Sequence, residues 1–175
     1  MGADKAMLQV HGQDQLAWTA DLLAPFCQSV NASVRLEQIK TLGGSNLQLI
    51  PDQLEDNGPL AGILAALGQQ PKVGWLIVAC DMPWLETTTL GQLVAHRDRS
   101  KLATAFIGSK GPEPLCTIWE SGALEPLASA LNKDQRSVRR ILAQLPIKQL
   151  VPVNPKALLS INTPELLQQA RRDFS

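Results

Sequence analysis

Val73-Gly74-Trp75-Leu76-Ile77-Val78-Ala79-Cys80-Asp81-Met82-Pro83 holds the most continuous apolar run of the chain, from Val73 to Ala79. The run is too short for an ordinary helix and suits a strand buried on both faces, the pattern of a parallel sheet. It ends by delivering Asp81, and Pro83 stops the strand just beyond. In open α/β sheets, ligands bind outside the carboxyl ends of the strands. A carboxylate at that edge can hold Mg²⁺ against a triphosphate, because this ion prefers hard oxygen ligands and few protein contacts. The same aspartate can equally cap the following loop, and its position alone does not choose.

Working outward, strand-like and helix-like stretches alternate. Pro59 to Leu67 has helical spacing, with Asn57-Gly58 before it and Pro59 suited to its first turn. Asn46 to Ile50 reads as a strand stopped by Pro51, and Ser29 to Leu36 as another. Gln15 to Phe26 reads as an amphipathic helix frayed by Pro25. Downstream, Thr87 to His96, Leu124 to Leu131 and Ser137 to Leu145 read as helices. Leu102 to Ile107, Leu115 to Trp119, Ile147 to Val153 and Leu158 to Ile161 read as strands. Thr163 caps a last helix to about Arg172, with Pro164 at its first position. The alternation predicts a three-layer α/β/α arrangement with a mostly parallel, Rossmann-like sheet, a single domain over residues 1–175.

The composition narrows the function. The chain has 175 residues, 45% hydrophobic and 18% charged, which fits one packed core and excludes a disordered polymer. Lys plus Arg and Asp plus Glu are both 16, so charge makes no case for nucleic acid or a membrane surface. Cys27, Cys80 and Cys116 form no C-x-x-C pair, which argues against a disulfide scaffold or zinc and fits a reducing compartment. His11 and His96 are isolated. No apolar run has transmembrane length, and Met1-Gly2-Ala3-Asp4-Lys5 is unlike a signal peptide, so a cytoplasmic domain is expected.

Other positions join Asp81 at the expected sheet edge. Asp52 follows its strand there and reads alone as a solvated turn residue. Gly58-Pro59-Leu60-Ala61-Gly62 sets backbone N–H groups and a helix N-terminus near that edge, with glycines that admit a ligand closely. Lys5 can neutralise phosphate as a compact cation, or stand as a surface lysine. Arg136, Arg139 and Arg140 could meet an anionic substrate, but a solvated helix face is the favoured reading. Cys80 reads as a small buried residue, and Trp18, Trp75, Trp84 and Trp119 as core. Neither a G-x-x-x-x-G-K-[ST] loop nor a G-x-S-x-G elbow occurs.

Taken in order, these elements resemble the molybdenum cofactor guanylyltransferases, a family of nucleotidyltransferases with a nucleotide-sugar-transferase-like fold. The matching segments are Met1-Gly2-Ala3-Asp4-Lys5-Ala6, Pro51-Asp52, Gly58-Pro59-Leu60-Ala61-Gly62, Cys80-Asp81-Met82-Pro83-Trp84-Leu85 and Ser160-Ile161-Asn162-Thr163-Pro164-Glu165. The resemblance implies transfer of GMP from GTP to molybdopterin, with release of pyrophosphate and Mg²⁺ as cofactor. It implies Asp81 as the metal ligand, with Lys5 beside it in catalysis. It makes Lys5, Asp52, Gly58, Gly62 and Asp81 nucleotide contacts and puts Asn162 on the pterin side. Ser160 stands where the family often has a second asparagine, and Arg35 differs in type from a family nucleotide contact. The implied partners are GTP and the molybdenum cofactor, with transient contact to molybdoenzymes or cofactor-delivery proteins. The alternatives are a relative with another base or acceptor, such as a molybdopterin cytidylyltransferase, and an inactive truncated relative.

The resemblance also sets an expectation at the N-terminus. Family members carry a buried strand and a loop of the form Leu-Ala-Gly-Gly-x-Ser-x-Arg just before the Met-Gly-x-Asp-Lys segment, and the sequence begins at that Met1. A natural start upstream is expected, with a degenerate copy as the alternative. The 175 residues alone are expected to transfer poorly, with two strands left unpaired mid-sheet.

Overall fold

The computed structural model describes residues 5–42, 46–52 and 58–174. Met1 to Asp4 and Asn57, which belong to motifs named above, lie outside the described residues. The strands are β1 (Asn31–Arg35), β2 (Gln48–Asp52), β3 (Trp75–Val78), β4 (Ala103–Gly108), β5 (Gly111–Trp119) and β6 (Ile147–Leu150). The helices are α1 (Gln15–Leu23), α2 (Ile39–Leu42), α3 (Pro59–Gln69), α4 (Thr87–Ala95), α5 (Leu124–Asn132), α6 (Val138–Leu142) and α7 (Pro164–Asp173).

Helices cover both faces of the sheet, because side chains alternate across each strand. Trp119 and Ala105 face Leu60, Ile63 and Leu67 of α3, Leu127 of α5 and Ile141 of α6. Their neighbours Ile118 and Phe106 face the opposite layer, with Leu23 of α1 and Leu90 and Leu93 of α4. The three-layer α/β/α arrangement is therefore present. Near the C-terminus, α7 seats Ala170 beside Ile161, Trp84 and Leu8 in a smaller core.

Among the described residues the strand pairings are mixed, two parallel and two antiparallel, in a two-stranded and a four-stranded sheet. β1 and β2 are parallel. In the order β3-β5-β4-β6, β5 runs against β3 and β4, while β6 is parallel to β4. The reversal is local in origin. Gly108 pairs with Gly111 across a tight hairpin, and Gly111 takes a φ of +97°, open to glycine at no steric cost. The sequence reading gave these two strands without the hairpin that joins them.

Three further expectations change. β2 runs through Pro51 to Asp52, because Pro51 pairs with Val34 on an edge where no ladder donor is demanded of it. Pro155–Leu158 is a short 3₁₀ turn, and no strand forms over Leu158 to Ile161. β3 is half-buried along its length and not covered on all sides. Among the described residues β3 ladders only with β5 and β1 only with β2. Their free edges border a cavity of about 670 Å³, lined by Val30, Asn31 and Ser33 on one side and Trp75, Ile77 and Val78 on the other.

Candidate functional site

Asp81 is placed by the strand before it and the turn after it. The Ala79 N–H donates to the Leu115 carbonyl at 2.9 Å, extending the β3–β5 ladder to the sheet edge. Met82, 1% exposed, then anchors the turn in the core, and the Leu85 N–H closes it onto the Met82 carbonyl at 3.2 Å. Asn162 comes from the far end of the chain. Ile161 beside it is fully buried and donates its N–H to the Asp81 carbonyl at 2.8 Å. Thr163 caps α7 by accepting from the Leu166 N–H at 3.3 Å. Lys5 opens a single 3₁₀ turn, Lys5–Met7, held by buried Ala6 and Leu8.

These three segments meet at one point. Lys5 Nζ lies 2.7 Å from Asp81 Oδ2 and 2.8 Å from Asn162 Oδ1. The ammonium keeps a 37% exposed side chain, whereas Asp81 is 15% exposed. Asp81 Oδ1 is buried and has no hydrogen-bond partner. An orphaned carboxylate oxygen in that position is costly unless a ligand completes it. Its hard oxygen suits a divalent cation such as Mg²⁺. Among the described residues no three His, Cys, Asp or Glu side chains gather as a metal cluster. A cation here would rest on Asp81 and on oxygens from water or substrate.

Asp52, Gly58 and Gly62 stand apart from that cluster. Asp52 ends β2 directly opposite Arg35 of β1. Burial pushes the Asp52 carboxyl above its ordinary value, and the Arg35 charge pulls it back. Gly58 is the residue before α3 and takes a φ of +53°, so the helix opens on a backbone that side chains resist. Gly62 lies inside α3, where a Cβ would stand 2.5 Å from Ser33 Oγ of β1. The glycine thus lets the helix approach the sheet.

One pair escaped the sequence reading. Glu113 of β5 accepts from the Arg139 guanidinium of α6 at 2.8 Å and from the Leu115 N–H at 3.1 Å. Arg139, expected on a solvated face, is only 35% exposed. Arg136 does face solvent, paired with Asp134. The only sequence signal for Glu113 was its position between Pro112 and Pro114, which does not reveal its partner.

The geometry is that of an anion-handling edge. The Lys5 ammonium is held between the Asp81 carboxylate and the Asn162 amide oxygen. Comparisons with known proteins identify the family. Residues 1–153 match the family described as MobA-like NTP transferase domain. The molybdenum cofactor biosynthesis bifunctional protein of Synechocystis is 34% identical over 94% of this chain, which spans 48% of that protein's length. The molybdenum cofactor guanylyltransferase of Rhodopseudomonas palustris is 30% identical over 98% of this chain and 86% of its own. The crystal structure of molybdopterin-guanine dinucleotide biosynthesis protein A from Archaeoglobus fulgidus superposes with a TM-score of 0.80. It covers 98% of this chain and 91% of that one at 23% identity, a likeness of fold.

Proposed function

The chain belongs to the MobA-like NTP transferase family, and from that premise we propose that it transfers GMP from GTP to molybdopterin. The product is the guanine dinucleotide form of the molybdenum cofactor. The observation that carries this reading is the meeting of Lys5, Asp81 and Asn162 at one point of the sheet edge. The name of the Rhodopseudomonas palustris relative supports the choice of reaction.

In this reaction an oxygen of the molybdopterin terminal phosphate bonds to the α-phosphorus of GTP. The bond to the bridging oxygen of the β-phosphate breaks, and pyrophosphate leaves with its electron pair. Such transfers need charge neutralisation and in-line placement more than acid–base groups. Lys5 supplies a positive charge whose position is fixed by two partners. Asp81 and its unpartnered Oδ1 would hold Mg²⁺, which when bound supplies Lewis-acid neutralisation of the phosphate oxygens. Asp52 and the Gly58-to-Gly62 opening of α3 form the nucleotide side, where free N–H groups meet phosphate. Asn162 faces the acceptor side. No helix among the described residues is long and apolar enough to cross a membrane. The reading places the chain in the cytoplasm, passing its product to molybdoenzymes or cofactor-delivery proteins.

The test is incubation with Mg²⁺, molybdopterin carrying molybdenum, and either GTP or CTP. Pyrophosphate release and the dinucleotide product are followed by mass spectrometry. A GTP-dependent product, lost in Asp81→Ala, is expected. Turnover with CTP alone would replace guanylyl by cytidylyl transfer. No product with either nucleotide, and no nucleotide effect on thermal unfolding, would overturn the reading.

A further inference from the structure

The three residues of the site stand on irregular backbone. Lys5 opens a short 3₁₀ turn, Asp81 lies in the turn after β3, and Asn162 lies in the stretch before α7. Among the described residues no strand ladder joins these segments to one another. Packing and single bonds must therefore set their spacing.

Each segment sends side chains into the same small core. Leu8 and Val10 come from the Lys5 side, Trp84 from just beyond Asp81, and Ile161 and Ala170 from the two sides of Asn162. Trp84 is the one aromatic ring among these buried residues, and it is 5% exposed. Its indole Nε1–H donates to Asp173 Oδ2, at the end of α7, at 2.8 Å. The same oxygen accepts from Lys156 Nζ at 2.8 Å, and that ammonium stands 5.3 Å from the centroid of the Trp84 ring. A buried indole N–H calls for such a partner, and the bond holds the ring in one orientation. Two further bonds close the frame. Arg171 of α7 donates from Nε to the Gln9 carbonyl at 3.1 Å, and the Ile161 N–H donates to the Asp81 carbonyl at 2.8 Å. The ring is a fixed spacer shared by all three segments.

Reacting groups are held to within about 0.5 Å by residues whose own rotamers are locked by packing and outer hydrogen bonds. We propose that Trp84, locked by Asp173, is the positioning residue that sets the spacing of Lys5, Asp81 and Asn162. Trp84 itself touches no reacting atom. This rests on the reading of those three residues given above.

The test breaks the lock from either end. Trp84→Phe keeps a ring and loses the N–H, and Asp173→Ala loses the acceptor at the exposed end of α7. Each is expected to lower kcat for pyrophosphate release about tenfold, the scale of losing an outer orienting contact, with KM for GTP unchanged. The double variant should be no slower than either single, because both remove one bond. Asp173→Asn keeps an oxygen for the indole N–H and should turn over like the wild type. A second readout needs no turnover. An ammonium bonded to two acceptors must break both bonds to react, so acetylation of Lys5 by acetic anhydride reports its spacing. Measured by mass spectrometry against exposed Lys40, it should speed up in Trp84→Phe and Asp173→Ala and stay slow in Asp173→Asn. Wild-type kcat and wild-type Lys5 labelling in Trp84→Phe and Asp173→Ala, with only the melting temperature lowered, would overturn the proposal. Asp173→Asn as impaired as Asp173→Ala would overturn it too, because the carboxylate charge and not the indole bond would then matter. Faster Lys5 labelling in a chain that transfers nothing from GTP would uphold the positioning role and overturn the guanylyl transfer reading.

Discussion

The backbone N–H of Ile161 donates to the carbonyl oxygen of Asp81 at 2.8 Å, which fastens the turn bearing Asn162 to the turn bearing Asp81. Lys5 then bridges the two side chains that these turns present. The site is thus assembled from segments 76 and 157 residues apart from Lys5 in sequence. A preorganised charge costs little reorganisation when phosphate arrives, which makes it effective in transfer.

Removing either charge tests this directly. Asp81→Ala is expected to abolish Mg²⁺-dependent transfer. Lys5→Ala should lower kcat by about 10²–10³-fold, the usual cost of losing one preorganised electrostatic contact. Pyrophosphate release under saturating GTP is the measurement. Both variants should unfold within a few degrees of the wild type, since a half-exposed ion pair contributes only about 0–1 kcal/mol.

Gly62 gives a prediction about stability. Gly62→Ala sets a Cβ against Ser33 Oγ, and overpacking costs about 1–3 kcal/mol. Alanine returns about 1 kcal/mol through helix propensity, so the net loss should be about 1 kcal/mol. Ser33→Ala removes the clashing oxygen and leaves the Ser33 Cβ position at 3.4 Å, ordinary contact. The double variant should therefore melt at or above the wild-type temperature. A double variant as unstable as Gly62→Ala alone would show that the backbone approach, and not the hydroxyl, sets the limit.

What the sequence disclosed depended on how local the cause was. The apolar run into Asp81, the Pro59 helix start and the Thr163 cap are each written within a few residues, and all three are present. The Glu113–Arg139 pair is not local. It needs the irregularity in β5 and the packing of α6 beside it, and neither leaves a mark in the spacing of residues. Arg139 misled for the same reason. A charged helix face looks solvated until the acid waiting for it on a neighbouring strand is known. Leu158 to Ile161 resembled a strand because a short apolar stretch carries no period of its own, yet none forms there.

His11 sets a pH dependence. Its ring stacks on Trp18 at 4.0 Å between centroids and packs against Phe174, and Nε2–H donates to the Pro83 carbonyl at 2.9 Å. Burial pulls its pKa below the ordinary 6.5, and the bond to Pro83 opposes that pull. The unfolded chain thus takes up the proton more readily than the folded one. The stability concerned is fully present above about pH 6.5 and is lost as pH falls through the depressed folded value. His11→Phe keeps an aromatic ring against Trp18 without a titrating group. The wild-type melting temperature should drop relative to that of His11→Phe as pH falls from about 8 to about 5. Parallel curves would show that His11 titrates alike in both states.

The divided sheet predicts where the backbone opens first. β5 and β4 each have a partner strand on both sides, whereas β1 and β3 turn one edge to the 670 Å³ cavity. Amides on a free edge lack ladder acceptors, and exchange protection follows such bonds and local packing. Hydrogen exchange should therefore be fast for those amides of Asn31–Arg35 and Trp75–Val78 that face away from β2 and β5. It should be slow for Ala103–Phe106 and for Cys116–Trp119. β3 still ladders with β5 through its other edge, so its amides should divide into a fast and a slow set. Uniform protection along β3 would mean that the free edge finds acceptors of its own. Uniformly fast exchange would mean that the β3–β5 ladder, and with it the placement of Asp81, opens far below the stability of the whole domain.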